Sequence, residues 1–208
     1  MEIPNLMPHQ MDPFNGDHFI EKEILQLRDR FGINTAIETG TCFGSTTKFL
    51  ARHFQKVFSI EINTAYLEIA RMLIGDLQNV QTFQGASELV LGEIISAKIS
   101  DTDRLLFFLD AHWDTHCPLR DELRIIAEHK LKPVIVIHDF QVPGQPGLAF
   151  DSYSGQPFTF DWLKDRFDAI YGEEGYGYYY NSEEESTEIR VGIIYIFPKD
   201  NSNDPLVH

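Results

Sequence analysis

The sequence has little cysteine, few basic residues and no long apolar run. Its 208 residues include two cysteines, Cys42 and Cys117, too few for a disulfide framework. No apolar run approaches the roughly 20 residues that a membrane-spanning helix needs. The first residues, MEIPNLMPHQMDPFNGDHF, lack a basic stretch followed by an apolar one, so no export signal is predicted. These absences favour a reduced, cytoplasmic protein without a membrane segment.

Basic residues are outnumbered by acidic ones. The chain has 17 Lys and Arg against 32 Asp and Glu, which gives a formal net charge of −15 at pH 7. A surface of that sign repels phosphate backbones and anionic lipid, and no run of lysines or arginines offers a local exception. Nucleic acid and membranes are therefore not expected as partners. The composition leaves open whether the chain forms a homo-oligomer.

What the sequence does contain is a regular alternation of short apolar runs and helical segments. Residues 1–18 are aperiodic and are predicted to form an N-terminal arm, residues 19–200 a single domain, and residues 201–208 a tail. Apolar spacing of three and four residues predicts helices, whereas short continuous apolar runs predict buried strands. The predicted strands are 35–39, 57–60, 80–83, 105–109 and 134–137, and the predicted helices are 19–31, 45–54, 64–74, 88–99, 119–129 and 162–170.

This alternation predicts an α/β fold with a doubly wound, mostly parallel, seven-stranded sheet. The runs LLFFL and VIVI show no polar alternation, as expected of central strands that are buried on both faces. Near the C-terminus, YGYYY and EIRVGIIYIF are separated by too few residues for a crossover helix, which predicts an antiparallel hairpin at one edge. Residues 141–160 are rich in Gly and Pro and are predicted to be a lid loop over a site.

The stretch AIETGTCFGSTTKFL follows the pattern of a nucleotide-binding strand, turn and helix. Gly40 can adopt a positive φ, and Gly44 allows a ligand to approach the backbone. Their spacing differs from the dinucleotide-binding G-x-G-x-x-G pattern. The carboxylate of Glu38 would repel a pyrophosphate but attract an ammonium or sulfonium group. The pattern therefore predicts a ligand with an adenosine and a cationic tail free of phosphate, which describes S-adenosylmethionine.

Two further strand ends support a nucleoside site. Glu61 ends the second strand, where an acidic residue accepts hydrogen bonds from ribose hydroxyls, and Ile62 can lie against adenine. Ala86 and Ser87 follow the third strand in another glycine turn. The residues predicted to bind the cofactor are Glu38, Gly40, Thr41, Gly44, Ser45, Thr46, Glu61, Ile62, Ala86, Ser87 and Asp110.

The fourth and fifth strands end in possible metal ligands. Asp110 follows LLFFL, and His138 and Asp139 follow VIVI. Two carboxylates suit Mg²⁺, and His138 as a third ligand would shift the preference towards Mn²⁺, Fe²⁺ or Zn²⁺. The predicted metal ligands are Asp110, His138 and Asp139. The alternatives are that Asp110 caps a turn and that His138 only orients Asp139.

His112 is predicted to act as a general base, because imidazole titrates near neutrality and lies close to Asp110 in sequence. The predicted catalytic residues are therefore Asp110, His112 and Asp139, with a solvent-exposed loop histidine as the alternative for His112. Four aromatic residues are predicted either to line an acceptor pocket or to pack within loops: Trp113, Tyr153, Phe158 and Phe160. Both cysteines are interpreted as small packing residues.

The segments ETGTCFGS, FSIEIN and FQGAS resemble the cofactor motifs of class I S-adenosylmethionine-dependent methyltransferases. The resemblance extends over nearly the whole chain from about residue 19, and the last strand resembles the antiparallel seventh strand of that Rossmann-like fold. FFLDAHW and VIVIHDF are similar to small-molecule O-methyltransferases of the macrocin and catechol types, whose strand ends supply acidic metal ligands. Ala86 departs from the acidic or amide residue often found there, and Phe140 from the Asn of the catechol type.

The resemblance implies a methyltransferase that acts on an oxygen of a small acceptor, assisted by a divalent metal such as Mg²⁺ or Mn²⁺. Two alternatives stay open: metal-dependent oxygenation on the same fold, as in cephalosporin hydroxylase-like proteins, and a cofactor-binding protein without catalysis. The net charge disfavours a third, a nucleic-acid methyltransferase.

Overall fold

The computed structural model describes residues 12–112, 115–187 and 189–199. Most of the predicted arm, the predicted tail and Trp113 therefore lie outside the described residues. Across the described residues, no helix has both the length and the apolar character that crossing a bilayer requires.

The helices and strands alternate along the chain as predicted. The helices are α1 (His18–Phe31), α2 (Ser45–His53), α3 (Thr64–Ile74), α4 (Ser87–Lys98), α5 (Leu119–Glu128) and α6 (Phe160–Tyr171). The strands are β1 (Thr35–Thr39), β2 (Lys56–Glu61), β3 (Val80–Gln84), β4 (Leu105–Leu109), β5 (Val134–Ile137), β6 (Ser152–Tyr153), β7 (Gln156–Pro157), β8 (Tyr176–Tyr180) and β9 (Ile194–Pro198).

Seven of these strands form one sheet in the order β3-β2-β1-β4-β5-β9-β8. The first five strands are parallel, while β9 pairs antiparallel with both β5 and β8. This arrangement confirms the predicted doubly wound sheet and its antiparallel hairpin at one edge. The strand order reverses between β1 and β4, the topological switch point at which open α/β sheets bind their ligands.

The sheet separates two apolar cores. Leu106 and Phe108 pack into the core on the side of α1 and α2, whereas Phe107 and Leu109 pack into the core on the side of α4, α5 and α6. Every residue of β4 is buried. Because both faces of this strand are covered, its sequence is uniformly apolar, which is why its limits could be predicted.

Hydrogen bonds set the helix ends that position the site. The Asp17 carboxylate accepts from the backbone of Phe19 and caps α1, and Asn63 caps α3 in the same way. Before α1, Pro13–Gly16 forms a short 3₁₀ turn whose Phe14 ring packs edge-on against Phe49 and Phe108. The end of the predicted arm is thus part of the folded domain.

The predicted lid, residues 141–160, is tied to the domain by backbone hydrogen bonds. The amide of Gln141 donates to the carbonyl of Phe158, that of Ala149 to Arg190, and that of Asp151 to Asp139. Within this segment β6 and β7 pair as a small hairpin. The segment therefore lies against the carboxyl end of β5, next to the residues considered below.

Candidate active site

A cavity of about 570 Å³ opens at the carboxyl ends of β1 to β5. Its position at the switch point between β1 and β4 is where a parallel sheet presents strand ends and helix starts to a ligand. Among the described residues, the cavity is lined by acidic, histidine, small polar and apolar side chains but by no lysine or arginine. Its volume suits a nucleoside-sized ligand together with a small second molecule.

The turn after β1 is held tightly against β4. Gly40 has a φ of 86°, and a Cβ there would lie 2.5 Å from the carbonyl oxygen of Asp110. Gly40 and Thr41 donate their amides to the carbonyl of Ile60 at 2.9 and 3.1 Å. Any side chain at position 40 would push apart two strand ends that both line the cavity. Glycine is therefore required at position 40, as predicted, and the close approach of the Asp110 backbone adds a second reason.

Cys42 occupies the next exposed position of this turn, with a φ of 49°. Its amide donates to Glu61 Oε2 at 2.7 Å, and its side chain is exposed and lines the cavity. The interpretation of Cys42 as a packing residue is therefore wrong. Although the residue reaches solvent, partial burial of its sulfur against the turn raises the pKa of this thiol to about 11, and the nearby carboxylates of Glu61 and Asp110 add to the shift, so Cys42 is a neutral thiol at pH 7.

Glu38 lies beneath the turn instead of in the cavity. Its side chain is fully buried, and Oε2 accepts hydrogen bonds from Thr47 Oγ1 and Ser59 Oγ, both at 2.5 Å. Burial raises the pKa of Glu38 to about 8, although the two hydroxyl groups oppose the shift. The side chain is therefore neutral near pH 7, which differs from the expectation that its charge faces the ligand. The acidic residues that line the cavity are Asp12, Glu61, Glu88, Asp110 and Asp139.

The remaining predicted residues of this loop divide into two groups. Thr41, Ser45 and Thr46 line the cavity. Gly44 is not in its lining; a Cβ there would lie 3.1 Å from Cβ of Ala70, so this glycine is needed for the approach of α3. The hydroxyl of Thr46 accepts a hydrogen bond from the Phe14 amide at 3.1 Å, which joins the N-terminal turn to α2.

The nucleoside side of the cavity contains the residues predicted from the second and third strands. Glu61 is 6% exposed, and its oxygens accept from the amides of Cys42 and Asn63 at 2.7 and 2.8 Å. Burial raises the pKa of Glu61, while these backbone hydrogen bonds favour its ionised form. A carboxylate has about four acceptor sites, so Glu61 keeps acceptor capacity for a ligand hydroxyl in addition to its backbone hydrogen bonds. Ile62, Ala86 and Ser87 line the same side.

The other side of the cavity contains a cluster of imidazoles and carboxylates. His112 Nε2 lies 2.7 Å from Asp139 Oδ2 and 3.4 Å from Asp110 Oδ1. His138 Nδ1 lies 3.1 Å from the same oxygen of Asp139 and 3.4 Å from that of Asp110. The structure thus brings together every residue predicted at the ends of β4 and β5.

These ion pairs shift the protonation of the cluster. Burial alone lowers the pKa of His112, but Asp110 and Asp139 outweigh burial and raise the pKa to about 10. Burial also lowers the pKa of His138. The same two carboxylates outweigh burial and raise that pKa well above its usual value. The two imidazoles in turn hold the pKa of Asp139 well below its usual range, although burial acts in the other direction. The cluster is therefore a set of paired charges at pH 7.

Three of these side chains are arranged so that they could hold a metal ion. One ligand atom each from Asp110, His112 and Asp139 lies within 4.8 Å of the others. Oxygen and imidazole nitrogen donors in this combination suit Mn²⁺, Fe²⁺ or Zn²⁺, and Mg²⁺ when water completes the shell. The donor set differs from the predicted one because His112 lies in the group where His138 was expected. His138, 4% exposed, supports Asp139 from the side.

Part of the cavity wall was not predicted. Asp12, Phe14 and Asn15 line it from the N-terminal turn, and Ile189 and Val191 line it from the connection between β8 and β9. These segments are far apart in sequence and carry no motif. Three of the aromatic residues predicted for an acceptor pocket do not line this cavity. Phe158 is buried in the core, Phe160 packs on Tyr178, and the Tyr153 hydroxyl contacts Nδ1 of His112.

Comparisons with known proteins show the fold. No protein-family model matches the chain, and no curated protein matches it. Solved structures do match, among them the O-methyltransferase TomG of Streptomyces achromogenes, involved in tomaymycin synthesis, in complex with SAM. That match has a TM-score of 0.58 and 15% identity, and it covers 87% of this chain and 80% of that one.

Two other matches have similar extent. An O-methyltransferase from Bacillus cereus in complex with SAH gives a TM-score of 0.61 with 17% identity, covering 88% of this chain and 81% of that one. Precorrin 8w decarboxylase from Methanobacterium thermoautotrophicum gives 0.53 with 16% identity, covering 88% and 90%. The chain therefore has the Rossmann-like methyltransferase fold, as the sequence predicted. The different activities named for these neighbours mean that function has to be argued from the site.

Proposed function

We propose that this protein transfers a methyl group from S-adenosylmethionine to an oxygen atom of a small-molecule acceptor, with a divalent cation bound beside the cofactor. One observation carries the proposal. At the switch point of a methyltransferase fold, a single cavity joins a half lined by Glu61, Ile62 and Ser87 to a cluster of side chains around Asp110 and Asp139 that could hold a metal ion.

The residues of the first half suit the cofactor. Glu61 would accept hydrogen bonds from the ribose hydroxyls, and Ile62, Ala86 and Ser87 would contact adenine. The turn at Gly40 and Thr41, with Ser45 and Thr46, would hold the methionine end. The cofactor supplies a methyl group on a cationic sulfonium, and an acidic cavity without lysine or arginine among its described lining favours a cation. Glu38 contributes by anchoring Thr47 and Ser59 beneath the turn.

The residues of the second half suit a divalent cation. Asp110, His112 and Asp139 would hold it, and His138 would orient Asp139 through their 3.1 Å contact. A cation held there would lower the pKa of an acceptor hydroxyl and fix its position. His112 was predicted as a general base. Because its Nε2 lies inside the carboxylate cluster, we assign it instead to metal ligation.

The chain supports methyl transfer mainly through orientation. The turn at Gly40 packs directly on the carbonyl of Asp110, so the cofactor side and the metal side of the cavity are held in fixed register. Bringing an acceptor oxygen and the methyl group into line within a few ångströms gives a large acceleration by itself. The N-terminal turn and Ile189 form part of the cavity wall, and exclusion of water by these segments would strengthen the electrostatic interactions inside the cavity.

Calorimetric titration with S-adenosylhomocysteine tests the cofactor half. We expect micromolar binding by the wild-type chain and at least a tenfold weakening in Glu61→Gln, since Gln keeps the size but loses the charge-assisted hydrogen bonds. Glu174→Gln, an exposed glutamate outside the cavity lining, is the matched control. Absence of binding by the wild-type chain would refute the proposal.

Oxygenation is a second candidate, because two imidazoles and two carboxylates converge at the metal-ligand cluster. Such mixed sets also bind Fe²⁺ in oxygenases. Oxygen consumption that requires Fe²⁺ and proceeds without methyl transfer would favour this function.

The third candidate function is cofactor binding without catalysis. It predicts that Asp110→Ala and Asp139→Ala change only the stability of the protein.

The acceptor is proposed to be a small molecule, in a cytoplasmic protein. The apolar Phe14, Ile189 and Val191 line the cavity, and no described lining residue is a lysine or arginine that could bind a nucleic-acid phosphate. Tight, salt-dependent RNA binding would argue against this choice of partner.

A further inference from the structure

His112 is contacted through both of its ring nitrogens. Nε2 faces Asp139 and Asp110, as described above, while Nδ1 lies 2.8 Å from the hydroxyl of Tyr153 and 3.1 Å from Oδ2 of Asp151. Tyr153 lies in β6 of the β6–β7 hairpin, and Asp151 directly precedes β6. The hairpin comes after β5 in the chain and returns to the ring from the side opposite the carboxylate cluster.

The hairpin is itself held in place. The Tyr153 ring stacks on Phe158 with a centroid distance of 5.8 Å, and Phe158 stacks in the same way on Trp162 of α6. His112 meets the Phe158 ring edge-on at 5.9 Å. The amide of Asp151 donates to the carbonyl of Asp139 at 3.0 Å, so one backbone bond links the hairpin to the metal-ligand cluster.

Carboxylates lie at both ring nitrogens of His112, so a metal ion bound beside Asp110 and Asp139 would replace the proton on Nε2, while the contacts at Nδ1 would keep the other proton in place. A carboxylate can only accept, so Asp151 favours a proton on Nδ1, and a Tyr hydroxyl can accept from that same N–H. A neutral imidazole protonated at Nδ1 has its lone pair on Nε2. Metal-bound histidines in proteins usually donate their second ring N–H to a carboxylate or another oxygen in this manner.

We propose that Asp151 and Tyr153 are positioning residues that hold His112 by Nδ1 and thereby present Nε2 as a metal ligand with Asp110 and Asp139. The inference rests on the metal site proposed above. Neither residue lines the cavity, so neither is expected to touch cofactor or acceptor.

The test is the affinity of the full chain for Mn²⁺, measured by electron paramagnetic resonance in the presence of saturating S-adenosylhomocysteine. The variants are Tyr153→Phe, which keeps the stacked ring and removes only the hydroxyl, Asp151→Asn, and the two combined. We expect the double variant to bind Mn²⁺ about 10- to 100-fold more weakly. Its affinity for S-adenosylhomocysteine without metal should not change. Tyr178→Phe and Asp101→Asn, both at exposed positions, are the matched controls.

A second readout separates positioning from a general structural effect. Nitrogen-15 spectra of the imidazoles with Zn²⁺ should show His112 bound through Nε2 and protonated at Nδ1 in the wild type. In the double variant the proportion of that tautomer should fall. Equal Mn²⁺ affinity and an unchanged tautomer in the double variant would refute the positioning role. If the wild-type chain binds S-adenosylhomocysteine but no metal, the metal site and this inference both fail while the cofactor proposal stands.

Discussion

Glu38 is a buried acid whose ionisation is coupled to folding. Its pKa is about 8 in the folded chain, raised from 4.5 by burial. Between these two values the unfolded chain has released the proton and the folded chain still holds it, so stability falls as pH rises. Below the lower value both states are protonated, and above the upper value both are ionised, so the effect is confined to this window.

We therefore predict that Glu38→Gln removes this pH dependence. From pH 5 to 8 the wild type should lose on the order of 1 kcal/mol of unfolding free energy per pH unit relative to the variant. Urea unfolding at several pH values measures the difference. Glu174→Gln, an exposed glutamate, should follow the wild-type profile. A constant difference between Glu38→Gln and the wild type across this range would contradict the assignment.

Gly40 is required because of what lies next to it as well as because of its φ. We predict that Gly40→Ala destabilises the chain by roughly 2–4 kcal/mol, since the new Cβ meets the Asp110 carbonyl in addition to the cost of a positive φ. It should also abolish binding of S-adenosylhomocysteine. Gly144→Ala is the control: its φ is 75° but no atom lies within 4 Å of the added Cβ. Equal losses in the two variants, measured by denaturant unfolding, would show that the close approach is unimportant.

At the scale of elements, the 3₁₀ turn Pro13–Gly16 forms a wall of the cavity although it precedes the first helix. Phe14 is 3% exposed between Phe49 and Phe108. We predict that Phe14→Ala costs roughly 3–5 kcal/mol. It should also release the amides of the turn to hydrogen exchange while those of the central strands stay protected. Leu89→Ala, at a side chain that is 73% exposed, should leave both measurements close to wild type. Continued protection of the turn in Phe14→Ala would mean that the aromatic contact does not hold it.

At the scale of the whole molecule, the net charge of −15 opposes the compact state. Folding brings like charges closer together, and salt screens them over a Debye length of about 10 Å at 0.1 M. We predict that the thermal midpoint rises by a few degrees between 20 and 200 mM NaCl. KCl at equal ionic strength should give the same shift, because screening depends on ionic strength. A falling midpoint would show that attractive ion pairs, such as those of His112 and His138, dominate instead.

The strands and the strand-end residues could be predicted from the sequence, because their causes are local. A strand buried on both faces must be continuously apolar, so Leu105–Leu109 and Val134–Ile137 were predicted with their observed limits. The carboxyl ends of neighbouring parallel strands meet at one edge, so Asp110 and Asp139 were expected to lie together, as they do around His112.

Only the tertiary structure decided where side chains point and which distant segments meet. The sequence places Glu38 beside the turn, but packing directs its carboxylate to Thr47 and Ser59 beneath it. His112 lies beside Asp110 and Asp139 through one ring nitrogen, while its other ring nitrogen contacts Tyr153 of a hairpin some 40 residues later in the chain. Local propensity specifies elements, whereas these contacts follow from the closure of long loops around a close-packed core, which no short stretch of sequence records.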